Sequence, residues 1–264
     1  MKKEYYEEAI GIIPAGGLAK RIAPLPCSKE IYPVGYKTKK DGSIVGPMVA
    51  CQFLLEKMKV AGLKEVFIIL REGKWDIPTY FGDGKIVDMN IAYLILGLPF
   101  GVPYTLDQAY PFVENAPIGF GFPDIMFDTD DAFVRLFKQL NVSAADAVLG
   151  IFPANRPEKV DMVDLDDKSR VKRIVIKPRK SKLTHTWGIA VWTPKFTRFM
   201  HDYLKTKKKL AEKESELFLG DVFQEAIHAG LKVEGNHVSK KPFLDIGTPE
   251  DLRTAIRRYD KYIK

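Results

Sequence analysis

A glycine turn followed by two cations lies near the start of the chain and could hold phosphate groups. Residues 13–24 read IPAGGLAKRIAP, and Ser28-Lys29 follow shortly after. Glycines that come directly after a strand let backbone N–H groups approach phosphate oxygens closely. Arg21 offers those oxygens a rigid fork of donors, and Lys29 adds a point charge. A Gly-Gly pair can be only a turn, but two cations on the same loop favour phosphate binding.

Alternating strands and helices are predicted to position this loop. Residues 9–14 (AIGIIP) form an apolar run suited to a strand buried on both faces, and the glycines end it. Further strands are predicted over residues 64–70, 90–96, 118–122, 146–152, 159–166, 171–177, 186–192 and 231–238. Helices are predicted over residues 47–61, 76–81, 130–140, 195–205, 217–229 and 248 to about 262. Residues 102–108 are predicted to be a loop.

This order of elements predicts an α/β fold. Strands that alternate with helices are typical of a mostly parallel sheet covered by helices, in three layers of Rossmann type. Three strands follow one another between residues 159 and 192 without a helix between them. This indicates antiparallel pairing there, so the sheet is expected to be mixed. No linker, repeat or low-complexity tract divides residues 1–264, and we therefore expect a single domain.

Composition and charge exclude several classes of protein. Of the 264 residues, 46% are hydrophobic, which is enough for a substantial core. The net charge of +7 is dispersed rather than gathered on one face that also carries aromatic side chains, so no nucleic-acid partner is expected. A basic surface still attracts polyanionic small molecules such as nucleotides. The dispersed charges include Lys37, Lys39 and Lys40, residues 207–209, and Arg257 and Arg258.

The cysteines, the histidines and the hydropathy pattern bear on zinc binding and on the expected cellular location. The two cysteines and four histidines show no zinc-type spacing. The polar residues 1–8 do not resemble a signal peptide, and no apolar run reaches the ~18 residues of a membrane span. We therefore expect a cytoplasmic protein without a membrane partner, and a homo-oligomer remains open.

The phosphate loop resembles the signature of the sugar nucleotidyltransferase family, which includes the glucose-1-phosphate thymidylyltransferases. In that family a GGxGxR…PK loop wraps a triphosphate. The resemblance covers nearly the whole chain, and residues 243–252 (FLDIGTPEDL) are similar to the family's WLDxGTxxxL ending. The other matches follow in the family's order: Pro47-Met48, Ala61-Gly62, Gly82-Asp83-Gly84, Gly101, Asp124, Lys177-Pro178 and Gly188.

The resemblance implies a nucleotide site built on the loop. Arg21 and Lys29 would be the catalytic cations, although Lys29 stands two residues closer to Arg21 than in the thymidylyltransferases. Gly101 falls where a family glycine contacts the base. The implied nucleotide-binding positions are Ala15, Gly16, Gly17 and Gly101.

The resemblance also implies a magnesium site and a sugar-phosphate site. Asp124 stands where the family has the metal-binding aspartate of its LGD motif, and Asp221 ends a segment (ELFLGD) similar to the family's GExEITD element. Magnesium takes oxygen ligands and usually only one or two protein carboxylates, and Asp124 follows an apolar strand at its carboxyl end. Lys177 matches the lysine of the EKP motif, which grips the sugar phosphate, and Gly188 is assigned to the same site.

The implied reaction joins a nucleoside triphosphate to a sugar 1-phosphate and releases pyrophosphate. A sugar-phosphate oxygen attacks the α-phosphorus in line, and this nucleophile is already anionic, so no general base is required. Catalysis then consists of alignment and charge neutralisation. The expected partners are a nucleoside triphosphate and a sugar phosphate, with Mg²⁺ as cofactor.

Five departures from the family pattern leave the substrates open. Ala19 replaces the third glycine of the loop, and Pro123 replaces the glycine before the metal aspartate. Leu96 stands where thymidylyltransferases have a base-reading glutamine, so recognition of thymine or uracil is not inherited. Ile176 and Asp161 replace a glutamate and a glycine that concern the sugar. One alternative is a substrate other than a hexose phosphate, and another is a nucleotide or sugar-phosphate sensor with impaired catalysis.

Overall fold

Strands and helices alternate along most of the chain in the computed structural model, which describes residues 8–38, 41, 43–96, 101–207 and 216–259. The strands are β1 (Ile10–Ala15), β2 (Pro33–Thr38), β3 (Ile44–Val49), β4 (Glu65–Arg71), β5 (Asn90–Leu96), β6 (Ile118–Gly121), β7 (Ile125–Met126), β8 (Ala147–Pro153), β9 (Met162–Leu165), β10 (Val171–Val175), β11 (His185–Trp192), β12 (Val233–His237) and β13 (Leu244–Asp245). The helices are α1 (Ala50–Val60), α2 (Asp76–Phe81), α3 (Val102–Asp107), α4 (Tyr110–Val113), α5 (Ala132–Ser143), α6 (Pro194–Lys207), α7 (Leu219–His228) and α8 (Pro249–Tyr259).

Nine of these strands form one mixed sheet. The parallel neighbours β5, β4, β1 and β6 are followed by β11, which is antiparallel to β6. On its other side β11 pairs with β8, which pairs in parallel with β12. The β9–β10 pair lies alongside the first residues of β11. Only β10 and β11 run against β1, so the predicted mostly parallel α/β sheet is confirmed.

Helices cover both faces of the sheet, and β1 shows how the sequence produces this. Successive side chains of a strand point to opposite faces, and Ile12 and Ile13 are both buried but belong to two different core clusters. The Ile13 cluster contains α1 and α5 side chains, and the Ile12 cluster contains side chains of α3, α6 and α7. A third, smaller cluster packs α8 against the segment that includes Ile246. Among the described residues, no helix is long and apolar enough to cross a membrane.

Two local predictions were wrong. Pro47 and Met48 were predicted to begin a helix, but they lie in β3, which forms a hairpin with β2, and α1 begins only at Ala50. Proline is tolerated in a strand at the edge of a sheet, and a two-stranded hairpin has only edges. The predicted loop over residues 102–108 is mostly α3, where Pro103 occupies the first turn, a position that needs no N–H donor.

Candidate active site

A cleft of about 600 Å³ opens at the carboxyl edge of the sheet. β1 ends at Ala15 and continues into Gly16 and Gly17, and the parallel neighbour β6 continues towards Asp124. Ligands of open α/β sheets bind in the crevice outside the carboxyl ends of the strands. The cleft is lined by Pro14, Gly16, Gly17, Leu18, Lys29, Glu30, Arg71, Gly101, Val102, Tyr104, Thr105, Phe122, Pro123, Asp124, Lys207, Glu216, Leu217 and Asp221.

An ion pair between Lys29 and Asp124 lies in the wall of this cleft. Lys29 begins a single 3-10 turn (Lys29–Ile31), and its Nζ contacts Oδ2 of Asp124. Both side chains are mostly buried, with 14% and 15% of their surface exposed. Burial acts to lower the pKa of Lys29, but the charge and hydrogen bond of Asp124 outweigh it and raise this pKa above its ordinary value. Lys29 is therefore a fixed cation beside the glycine turn.

Asp221 brings a second carboxylate to the same cleft. Its Oδ2 accepts a hydrogen bond from the backbone N–H of Phe218 at 3.0 Å, so the side chain also caps the start of α7. Among the described residues, no group of three or more His, Cys, Asp or Glu side chains is arranged to hold a metal. Two carboxylates agree with Mg²⁺, which completes its coordination shell with water and substrate phosphates. The donors that face the cleft therefore fit this ion.

Arg21 and Asp245 lie next to the Lys29–Asp124 pair rather than in the cleft wall. β13 pairs with β7 so that Asp245 is opposite Ile125, one residue after Asp124. Burial and then the charge of Asp124 raise the pKa of Asp245 to about 6, while Lys29 and Arg21 act in the opposite direction. Arg21 is exposed, and its Nη2 lies 3.0 Å from the position that a Cβ on Gly247 would take. The predicted contact of Arg21 with a triphosphate remains a prediction.

The two predicted sugar-phosphate residues have different environments. Lys177 is exposed and places its Nζ 3.9 Å from the centre of the Phe218 ring, three residues before Asp221 in the chain. Gly188 is buried, and a Cβ there would lie 2.8 Å from Cδ1 of Ile125. Lys177 is thus close to the α7 end of the cleft, whereas Gly188 provides packing space beneath β7. Neither residue lines the cleft.

The glycine loop contains one residue in an uncommon conformation. Ala19, which replaces the family's third glycine, has a φ of +51°. A side chain in this left-handed region costs roughly 1–2 kcal/mol. Ala15 is buried at the end of β1, whereas Gly16 and Gly17 face the cleft. The loop therefore keeps its cleft-facing glycines and bears strain at the position where the sequence departs from the family.

Gly101 has a stricter conformational requirement, which can be tested. Its φ is +117°, and a Cβ there would lie 2.3 Å from the carbonyl oxygen of Leu217, which also lines the cleft. We expect Gly101→Ala to lower the free energy of unfolding by about 3 kcal/mol, through strain and overpacking together. Gly73→Ala is the matched control, because Gly73 has a φ of +91° with nothing near its Cβ position, and it should lose about 1–2 kcal/mol. Urea denaturation measures both losses; equal values would contradict the contact with Leu217.

Several residues of the cleft were missed by the sequence analysis. Arg71 is the last residue of β4, and Glu30 follows Lys29 directly. The rule that singled out Asp124, a polar residue at the carboxyl end of an apolar strand, would also have found Arg71. No comparable sequence signal marks the others, which are Glu30, Tyr104, Thr105, Lys207 and Glu216.

A cleft at the carboxyl edge of a mostly parallel sheet, walled by a glycine turn, is typical of α/β proteins that bind nucleotides. Residues 10–261 match the family model described as nucleotidyl transferase, and the chain belongs to this family. It is thus a member of a family of nucleotidyltransferase enzymes.

Known proteins similar to the chain agree with this assignment. Low-salt glycan biosynthesis nucleotidyltransferase Agl11 of Haloferax volcanii is 23% identical over 93% of the chain, which spans 64% of the length of that relative. A glucose-1-phosphate thymidylyltransferase of Neisseria meningitidis is 24% identical over 93% of the chain and 80% of its own length. A crystal structure from Bacillus anthracis, assigned as a glucose-1-phosphate thymidylyltransferase and solved with sucrose, has the same fold. Its TM-score is 0.80 at 21% identity, and the match covers 97% of both chains.

Proposed function

We propose that this protein joins a nucleoside triphosphate to a sugar 1-phosphate and releases pyrophosphate, with Mg²⁺ as cofactor. The observation that carries the proposal is the Lys29–Asp124 pair in the wall of a cleft beside Gly16 and Gly17. This arrangement sets a cation, a carboxylate and the backbone of two glycines around one space large enough for a nucleotide. The names of the similar proteins support a sugar phosphate as the second substrate.

The reaction we propose needs little acid–base chemistry. An anionic oxygen of the sugar phosphate forms a bond to the α-phosphorus, the bond from that phosphorus to the β-phosphate oxygen breaks, and pyrophosphate leaves with the electron pair. Backbone N–H groups at Gly16 and Gly17 would bind the triphosphate, and Lys29 would offset the charge that develops on it. Lys177 would hold the attacking phosphate. Asp124 and Asp221 would hold the magnesium ion, which would supply further positive charge to the polyphosphate.

A matrix of substrates tests this function. The purified protein is incubated with each of four nucleoside triphosphates and a panel of sugar phosphates, with magnesium or with EDTA, and released pyrophosphate is measured. We expect release to require magnesium, one triphosphate and one sugar phosphate together. Nucleotide binding without release under any combination would instead support the sensor, and release that EDTA leaves unchanged would contradict the role of the metal.

Arg21 provides a prediction about the loop itself. We expect Arg21→Ala to lower kcat by about 10²-fold, which is the scale for loss of one donor to the transition state. Steady-state kinetics at saturating substrates measures this loss. Arg253→Ala is the matched control, because Arg253 is exposed on α8 and does not line the cleft. A rise in KM with unchanged kcat would show that Arg21 holds the ground state equally well.

A further inference from the structure

Arg71 lines the cleft without a hydrogen-bond partner at one of its buried atoms. Its Nη1 is buried, and within the described part of the chain nothing accepts its hydrogens. A guanidinium is always charged and carries five N–H donors. Because nearly all buried polar groups of proteins are hydrogen-bonded to protein, water or ligand, an orphaned donor in a cleft wall indicates a missing acceptor.

Glu30 has the complementary feature on the same cleft. Glu30 is buried, with 1% of its surface exposed. Its Oε1 accepts a hydrogen bond from Nζ of Lys74 at 2.6 Å. Its Oε2 is buried and has no partner among the described residues. Two residues that line the cleft therefore each carry one buried polar atom without a partner among the described residues, a cationic donor on Arg71 and a carboxyl oxygen on Glu30. A ligand that satisfies both must present acceptors and an N–H group together.

The order of strands separates Arg71 from the phosphate end of the cleft, and the hydrogen bond from Lys74, three residues after Arg71, places the Glu30 carboxyl group on the same side. β1 lies between β4, which ends at Arg71, and β6, which leads to Asp124. Neighbouring strands are about 4.8 Å apart, so the ends of β4 and β6 are separated by roughly 10 Å. The ribose of a nucleotide separates its base from its phosphates by a distance of this order. With the phosphates at Gly16, Gly17 and Lys29, the base falls on the β4 side.

Arg71 is a charged group on that side of the cleft. The register of β4 and β5 pairs Arg71 with Leu96, whose buried side chain can neither donate nor accept a hydrogen bond. A guanidinium fork satisfies two adjacent acceptors at once. Guanine presents O6 and N7 side by side, and cytosine presents O2 and N3. In uracil and thymine the N3–H donor stands between the two carbonyl oxygens, so the fork finds only one acceptor.

We propose, on the basis of the function proposed above, that Arg71 reads the nucleobase and selects one with two adjacent acceptors next to an N–H donor. Cytosine has this order of groups along its Watson–Crick edge (O2, N3 and N4–H), and guanine has it on either side of O6 (N7, O6 and N1–H). Arg71 donates to the acceptor pair, and Oε2 of Glu30 accepts from the neighbouring N–H. The preferred triphosphate is therefore CTP or GTP, and UTP, dTTP and ATP are disfavoured.

Equilibrium binding tests this inference without requiring turnover. Isothermal titration calorimetry of the wild-type protein is carried out with CTP, GTP, UTP, dTTP and ATP in the absence of sugar phosphate. We expect CTP or GTP to bind about 5- to 150-fold more tightly than UTP and dTTP, which is the range for one bidentate contact to a base. In Arg71→Ala this advantage disappears, while the affinity for UTP changes little. Arg253→Ala keeps the wild-type preference.

The outcomes separate this inference from the proposed function. If the wild-type protein binds UTP, dTTP or ATP most tightly, or binds all five equally, Arg71 does not read the base. An equal loss of affinity for every nucleotide in Arg71→Ala would also overturn the inference, because Arg71 would then contact phosphate. In each of these cases the proposed transferase still stands. If no triphosphate binds at all, both proposals fail.

Discussion

Asp124→Asn is expected to lower the rate of pyrophosphate release by about 10³-fold or more, since a metal-binding carboxylate contributes several kcal/mol to stabilisation of the transition state. Asparagine has the same shape and can still accept a hydrogen bond from Lys29, but it lacks the charge that attracts a divalent cation. The fold should therefore be preserved. Pyrophosphate release as a function of magnesium concentration measures the effect, and the thermal unfolding temperature checks the fold. Asp124→Ala, which also removes the acceptor, should be at least as inactive.

A matched substitution distinguishes this loss from a general effect of removing negative charge. Asp202 is exposed on α6, and among the described residues its salt-bridge partner is Lys205, three residues further along the helix. Asp202→Asn should retain wild-type activity, because exposed pairs of this kind contribute little. If Asp124→Asn shows wild-type rates and an unaltered magnesium dependence, the assignment of Asp124 as a magnesium ligand is wrong.

Much of the fold could be predicted because it depends on local and periodic signals. The run that becomes β1 is apolar on both faces and ends in glycines, and each of these properties indicates a buried strand that leads into a turn. The same holds for the strand before Asp124. The carboxyl ends of parallel strands share one edge of the sheet, and the order of elements therefore supports the shared site of Gly16, Gly17 and Asp124 that the family resemblance implied.

The parts that could not be predicted depend on contacts between distant residues. Residues 47–61 carry the apolar spacing of a helix, but the pairing of residues 47–49 with β2 makes the first three a strand, as tertiary context often overrides local propensity. No sequence pattern shows that Lys29 pairs with Asp124, 95 residues away. Gly188 matches a family position, but only the structure shows that the side chain of Ile125 fills the space where a Cβ on Gly188 would lie.

Lys29→Met is the second substitution with a large expected effect, a loss of about 10³-fold in kcat. Methionine keeps the length of the side chain and removes the only charge that contacts Asp124 among the described cations. Loss of an oriented cation from the transition state costs about 10²–10³-fold. Unpairing a mostly buried carboxylate should also lower the free energy of unfolding by about 1–3 kcal/mol. The matched control is Lys59→Met, which breaks the exposed pair with Asp88 and should change neither quantity by much.

The same substitution should change magnesium binding in the opposite direction. Lys29 contacts Oδ2 of Asp124, so in the wild-type protein its positive charge lies beside the carboxylate that would bind magnesium. Without the ammonium group, Asp124 attracts the ion without competition from a like charge. We expect Lys29→Met to bind Mg²⁺ about 10-fold more tightly, equivalent to about 1.4 kcal/mol, as measured by titration calorimetry. A lysine that served only the fold would weaken metal binding and turnover together when replaced, so a fall in both would contradict the role of Lys29 as a cation that shares Asp124 with the metal.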